Sequence, residues 1–169
     1  VALNSFHPVS WSDSSLSLKA IRKNLSENEL DKNSVSYLDS LSIPATEVNL
    51  VLIQIPKTLA LLEDQLIRLR PKLTENCRIM VAGMVKHMPA SVWKLLERII
   101  GPTTTSLAVK KARVIEVQYD AALPVVENPY PVSWKLESSD IELSNHANVF
   151  SRDKLDVGTR FLLDHLPQT

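Results

Sequence analysis

The run Val48-Asn49-Leu50-Val51-Leu52-Ile53-Gln54-Ile55, followed at once by Pro56-Lys57-Thr58, constrains the fold more than any other stretch of this chain. It is apolar, rich in β-branched residues and too short for a free-standing helix. That predicts a strand buried on both faces, as in a parallel sheet covered by helices. Pro56 has no amide hydrogen to donate and ends the ladder. Thr58 is placed to cap a helix in which Leu59, Leu61, Leu62, Leu66 and Leu69 recur at helical spacing until Pro71 stops it. In open α/β sheets ligands sit beyond the carboxyl ends of strands, so the corner from Gln54 to Lys57 is the first place to expect chemistry.

The same alternation extends to both sides. Residues 1–6 predict a short strand, broken by His7-Pro8, and Ser10 or Ser12 can cap a helix carrying Leu16, Leu18, Ile21 and Leu25 inward. Residues 35–38 predict a strand and residues 40–46 a loop. Residues 78–83 predict a second buried strand ending in Gly83. Pro89-Ala90-Ser91 then opens a helix with Val92, Leu95, Leu96, Ile99 and Ile100 inward, closed by Gly101-Pro102. This predicts an α/β fold with right-handed crossovers and a mostly parallel sheet flanked by helices. From residue 104 the pattern changes. Residues 104–119 read as one long strand, the outer antiparallel member of the sheet. Alternation along it sends Lys111 and Arg113 to one face and Lys110 to the other. Three prolines across residues 121–131 exclude regular pairing. Residues 132–136 and 141–144 alternate around Ser138-Ser139-Asp140 as a hairpin, and Asp156 starts a last helix that ends near Leu166. The expected division is an α/β domain over residues 1–125 and a hairpin with a connecting segment over residues 126–169.

Composition narrows the function classes. A chain of 169 residues, 44% of them hydrophobic, buries one good core. Nineteen basic and nineteen acidic side chains cancel, so any nucleic-acid binding must come from a local patch. The single cysteine, Cys77, excludes an internal disulfide and a multi-cysteine metal site, and a reducing cytoplasm is the simplest compartment. The first residues lack the basic flank and apolar core of a signal peptide, and no apolar run approaches the ~20 residues that span a bilayer. The chain opens without methionine and stops directly after a helix pattern, which suggests a piece of something longer.

The chemistry is marked by absences. The three glycines, Gly83, Gly101 and Gly158, are not spaced as the G-x-G turn of a nucleotide-binding sheet. By itself this chain is expected to hold no dinucleotide or methyl donor. His7, His87, His146 and His165 are scattered and without a neighbouring cysteine, so no metal site is expected. Ser91 and Ser151 lack a nucleophile elbow, and Asn128-Pro129-Tyr130 reads as a turn. No catalytic residue is assigned.

Three blocks carry a resemblance. Ile55-Pro56-Lys57-Thr58-Leu59-Ala60-Leu61-Leu62-Glu63 is the first, and Gly101-Pro102-Thr103-Thr104-Thr105 with Lys110-Lys111-Ala112-Arg113 the second. The third is Asn145-His146-Ala147-Asn148-Val149-Phe150-Ser151-Arg152 with Leu155-Asp156-Val157-Gly158. Together they resemble the N-terminal half of the ribosomal RNA large subunit methyltransferase G family, through nearly the whole chain, and the last block is also similar to ribosomal RNA small subunit methyltransferase C. The resemblance implies a degenerate, Rossmann-like class I methyltransferase fold that has lost its chemistry. A C-terminal catalytic domain would follow Thr169 and bind S-adenosylmethionine, modifying a guanine of ribosomal RNA. It also implies that Phe150, Ser151, Arg152, Asp156 and Gly158 border the methyl-donor pocket of that domain. At the corner where a working amino methyltransferase orients a flipped-out base, this chain has Gln54-Ile55-Pro56-Lys57, and a lysine cannot stack on a base.

Lys57, Lys86, Lys110, Lys111 and Arg113 are therefore the candidate contacts to ribosomal RNA. Solvated edge charge is the bland reading of the same residues. Arg68, Arg70 and Lys72 near a helix C-terminus read as complements to its dipole. Trp93 and Trp134 read as packing residues. The domain is then either a substrate-recognition module or a pseudo-enzyme scaffold that stabilises the catalytic domain without touching RNA.

Overall fold

The structure, a computed structural model, describes residues 8–137 and 139–166. The strand expected over residues 1–6, and Ser138 in the expected turn, lie outside the described residues.

Strands β1 (Val9–Trp11) and β2 (Ser36–Leu38) form a parallel pair joined by helix α1 (Ser15–Glu27). Ser14, not Ser10 or Ser12, caps α1, its Oγ accepting the Ser17 amide at 3.2 Å. The main sheet holds β3 (Val48–Gln54), β4 (Leu73–Met84), β5 (Thr103–Thr105) and β6 (Ala112–Gln118) in the order β3-β4-β6-β5. Helix α2 (Leu59–Leu69) connects β3 to its parallel neighbour β4, and helix α3 (Ala90–Ile99) precedes β5. A separate antiparallel hairpin, β7 (Val132–Lys135) with β8 (Glu142–Asn145), leads to helix α4 (Val157–Asp164), which Asp156 caps.

The α/β fold is thus the one expected, but it departs from expectation in three ways. The parallel pairings among the described residues are β1 with β2 and β3 with β4. Everything after β4 pairs antiparallel, so the sheet is less parallel than the alternation of patterns predicts. The expected long strand over residues 104–119 is two strands, because Lys110-Lys111 turns the chain back on itself. Finally, β3 is buried on one face only. Val51, Ile53 and Ile55 pack on the core while Leu50 and Leu52 are 39% and 54% exposed.

That core is a single layer between the sheet and two helices. Leu62, Leu66 and Leu69 of α2 and Val92, Leu96 and Ile99 of α3 meet Cys77, Ile79 and Val81 of β4 and Ile115 and Val117 of β6. Each fully buried branched side chain contributes roughly 1.5–3 kcal/mol. Burial also pushes the Cys77 thiol above its ordinary pKa. Two arginines assigned to the helix dipole do something more specific. Arg68 donates to the carbonyls of Ser40 and Ser42, the latter at 2.7 Å, and pairs with buried Asp64 at 3.1 Å. Its guanidinium also lies 5.4 Å over the Trp11 ring, so it holds the β1–β2 unit beside α2. Arg70 is buried and donates to the carbonyls of Pro124, at 2.6 Å, and Leu123, fixing the proline-bearing loop under α2.

Gly101 is the position where this packing tolerates no side chain. Its φ is +149°, and a Cβ there would stand 2.1 Å from the Gln118 carbonyl oxygen. Gly101→Ala is therefore expected to lower unfolding free energy by ~2 kcal/mol or more, measured by urea denaturation. Gly83→Ala, whose Cβ meets only the movable Ile55 side chain at 3.1 Å, is expected to cost less.

Candidate functional site

Because β3 and β4 run parallel and β6 runs against β4, one rim of the sheet collects the ends of β3 and β4 with the beginning of β6. Four lysines sit there. Lys57 follows Pro56 at the end of β3, and Lys86 lies in the single turn Val85–His87 after β4. Lys110 and Lys111 form the tip of the hairpin that opens β6, and all four are exposed. The Val85 amide donates to the Lys111 carbonyl at 2.9 Å, which ties the turn carrying Lys86 to the hairpin tip. The ion pairs among the described residues engage Lys23, Arg68, Arg78, Arg98, Arg152 and Arg160, and none of the rim lysines.

The hairpin tip is strained. Val109 and Ala112 exchange both backbone hydrogen bonds at 2.9 Å, leaving two residues between them. Lys110 and Lys111 have φ of 48° and 64°, the left-handed pair of a type I′ turn, in which asparagine and glycine are the favoured residues. A side chain with a Cβ costs roughly 1–2 kcal/mol in that conformation. Since neither lysine is in a strand, the face assignment expected from alternation does not hold. Arg113, across from Gly83, shares instead the side of Ile115 and Val117. It is half-buried, its Nε covered and without a partner among the described residues.

The corner beyond β3 is closed by polar contacts that the sequence did not signal. Thr58 holds the N-cap position of α2 but makes no side-chain cap. Its hydroxyl donates to Asn148 Oδ1 at 2.9 Å, and Asn148 Nδ2 donates to Asp13 at 2.6 Å. Three segments far apart in sequence meet on this one amide. Asp13 stands in no recognisable motif, and the block that contains Asn148 carries no signal of this contact; only contact information would have found the pair.

The segment after β8 is organised around Arg152. Its carbonyl accepts from Trp134 Nε1 at 2.9 Å and from Asn145 Nδ2 at 3.1 Å, and its guanidinium donates to the Ala147 carbonyl at 2.9 Å while lying 5.0 Å over the Tyr130 ring. Ser151 has φ of 50°, and its hydroxyl donates to the Lys154 carbonyl at 2.7 Å. Asp156 accepts from the Gly158 amide at 2.9 Å, and hydrogen bonds, first from the Thr159 hydroxyl, hold its carboxyl below the usual range. Phe150, 84% exposed, stands clear of the knot, and α4 exposes Val157, Phe161 and Leu162. Asn128 behaves as the expected turn residue, accepting the Tyr130 amide at 3.0 Å, and its side-chain amide reaches buried Asp64 at 2.8 Å. Trp93 packs against the core and donates to the Thr105 hydroxyl at 2.8 Å. Among the described residues no cluster of histidine, cysteine and carboxylates is fit to hold a metal ion, and no helix is long and apolar enough to cross a membrane.

Comparison with known proteins places this geometry. The family model described as "RLMG N-terminal domain" matches residues 1–121. Proteins named ribosomal RNA large subunit methyltransferase G are similar to the chain. The one from Ectopseudomonas mendocina is 49% identical over 160 residues, and the one from Pseudomonas paraeruginosa 48% identical over 157. These alignments cover 94% and 93% of the chain but 42% of each relative, so the chain spans less than half the length of the curated relatives it matches. Among solved structures, a T. thermophilus 16S rRNA N2 methyltransferase in complex with AdoMet and guanosine superposes with a TM-score of 0.63 at 16% identity. It covers 93% of this chain and 47% of that one. An rRNA methylase from Streptococcus thermophilus gives 0.50 at 6% identity, over 66% of this chain and 72% of that one. The fold is the Rossmann-like one of methyltransferases.

Tyr130 offers a direct check of the packing between the loop and α2. Its hydroxyl donates to Glu63 at 2.8 Å, and burial, with that carboxylate second, pushes its pKa up to about 12. A raised pKa means the folded state holds the proton more tightly, so this contribution to stability is complete below pH ~10 and is lost as pH rises toward about 12. The stability difference between the native protein and Tyr130→Phe, ~1 kcal/mol at neutral pH, is expected to shrink across that window in denaturation curves recorded at each pH.

Proposed function

The chain belongs to the RLMG N-terminal domain family, and from that premise we propose that it is the substrate-recognition domain of an S-adenosylmethionine-dependent guanine-N(2) methyltransferase acting on large-subunit ribosomal RNA in the cytoplasm. Residues 1–125 form the recognition body in this reading. Residues 126–169 connect it to a C-terminal catalytic domain, against which Phe150 and the exposed apolar side chains of α4 pack.

The chain's own residues do not fit the methyl donor. None of its glycines stands in a strand-to-helix turn, and Thr58, Asn148 and Asp13 close the corner beyond β3. In this proposal the donor belongs to the other domain, with Phe150, Ser151, Arg152, Asp156 and Gly158 along the border. What remains here is a surface for phosphate. The observation that carries the reading is the rim of Lys57, Lys86, Lys110 and Lys111, gathered from three strand ends of an electrically neutral chain and paired with no carboxylate among the described residues. Lysines of this kind position an RNA backbone without reading its bases. A scaffold that touches no RNA has no use for two lysines in left-handed backbone at a hairpin tip, where asparagine and glycine would be more stable. Arg113, half-buried, is a weaker contact than the four lysines.

Two experiments on the full-length enzyme test this. Changing Lys57, Lys86, Lys110 and Lys111 together to glutamine is expected to weaken binding to protein-free ribosomal RNA. The plot of log affinity against log salt should become shallower by about one unit per phosphate contact removed, with methyl-donor affinity unchanged. An unchanged RNA affinity and salt slope in the folded variant would establish the scaffold instead. The double change Lys110→Asn with Lys111→Gly is expected to raise unfolding free energy by ~1 kcal/mol while weakening RNA binding. The gain in stability together with a loss of binding is the signature of strain retained for function.

A further inference from the structure

The hairpin between β5 and β6 carries more than its two lysines. Leu107 and Val109, which lead into the turn, are 88% and 68% exposed. Phe150 and the apolar side chains of α4 are exposed as well, but they belong to the segment that leads away from the sheet. Leu107 and Val109 stand on the sheet's own hairpin, beside the lysine rim. That hairpin is held at several points. The Ser106 amide donates to the Val114 carbonyl at 2.9 Å, and the Val114 amide donates back to Ser106 Oγ at 3.0 Å. Between that pair and the pair of Val109 with Ala112, the two residues Leu107 and Ala108 stand opposite the single residue Arg113. Such a bulge bends a strand and re-aims its end. Beyond it the Lys111 carbonyl accepts from the Val85 amide, which fixes the tip to the turn carrying Lys86. The result is an anchored projection with two aliphatic side chains and two lysines at its end, and a third lysine beside it.

We propose that this tip is a wedge, which packs Leu107 and Val109 against the face of an unstacked base at the end of an RNA helix while Lys86, Lys110 and Lys111 hold the phosphates around it. The inference rests on the RNA reading above and adds the class of RNA: a helix that opens onto unpaired nucleotides. Chemistry selects that partner. Apolar side chains flanked by lysines fit a ligand whose flat apolar faces lie within an anionic border, as the bases of a nucleic acid do. In a continuous A-form duplex the bases are stacked and only their edges are reached, whereas ends, loops and bulges expose a base face. Leucine is among the residues that nucleic-acid-binding proteins insert between base steps. The cores of protein interfaces, by contrast, are depleted in lysine. A lipid surface requires a broader apolar face than two aliphatic side chains provide.

Two synthetic RNAs with the same number of phosphates test this on the full-length enzyme. One is a stem that opens onto an unpaired strand, with 2-aminopurine as the first unpaired base, and the other is a continuous duplex. The native protein is expected to bind the first about tenfold more tightly and to raise the 2-aminopurine fluorescence, the sign of a base taken off the stack. Leu107→Ser with Val109→Thr leaves every lysine in place. This variant is expected to lose both the preference and the fluorescence rise while keeping the native salt slope. Leu107→Ser alone, at an exposed position outside both strands, guards against misfolding of the double variant and is expected to lose most of the preference. Preference and fluorescence rise retained in both variants, or equal binding of the two RNAs by the native protein, overturn the wedge and leave the RNA reading standing. Absence of salt-dependent binding to either RNA overturns that reading and the wedge with it. Phosphatidylserine vesicles that hold the native protein and release the variants, with RNA binding unaltered, overturn the wedge in favour of a lipid surface.

Discussion

The parallel pairing of β3 with β4 is the constraint on which the rest depends. It sends both strands' carboxyl ends to one rim, and α2, the crossover it requires, supplies half of the helical cover over the core. The antiparallel return of β6 brings its hairpin tip to the same rim. Had β6 run parallel to β4, Lys110 and Lys111 would lie at the opposite end of the sheet from Lys57 and Lys86. The positive rim is a product of strand direction, and it arises in a chain whose charges sum to zero.

Much of this was legible in the sequence because the signals are local. The apolar runs of β3 and β4, the leucine spacing of α2, the Gly101-Pro102 stop after α3 and the capping role of Asp156 each depend on residues within one turn or one strand of each other. Lys57 and Lys86 were visible as residues beyond strand ends, whereas Lys110 and Lys111 read as the middle of a strand. Burial was misjudged where the signal was shared, since an apolar run such as Val48 to Ile55 reads alike whether one face or both are covered. The split of residues 104–119 was hidden for a different reason. A type I′ turn usually announces itself with asparagine and glycine, and here two lysines occupy it. Arg68 and Arg70 sit where dipole complements sit, and only the fold shows the loops whose carbonyls they bind.

Among the described residues α2 and α3 cover one face of the main sheet, and the other face presents apolar and polar residues side by side. Leu52, Met84 and Val114 are exposed among Arg78 and Glu116, which pair across the strands at 3.5 Å. That pair is exposed and contributes well under 1 kcal/mol. Its place in the centre of the open face nevertheless interrupts what would otherwise be a continuous apolar surface, and so limits sticking of that face to other chains.

The bridge from Thr58 through Asn148 to Asp13 also bears on the order in which the molecule assembles. It joins residues 90 and 135 positions apart, among the most remote contacts in the fold. Closing loops of such similar length differs by less than ~0.6 kcal/mol, so neither contact is favoured by its span. The contact to Asp13 also requires the segment after β1 to stand near the corner beyond β3. Contacts of this range slow the search for the native state, and those that form last mainly affect the rate of unfolding. Asn148 is in that sense a latch, tying the C-terminal segment at once to the corner beyond β3 and to the turn after β1.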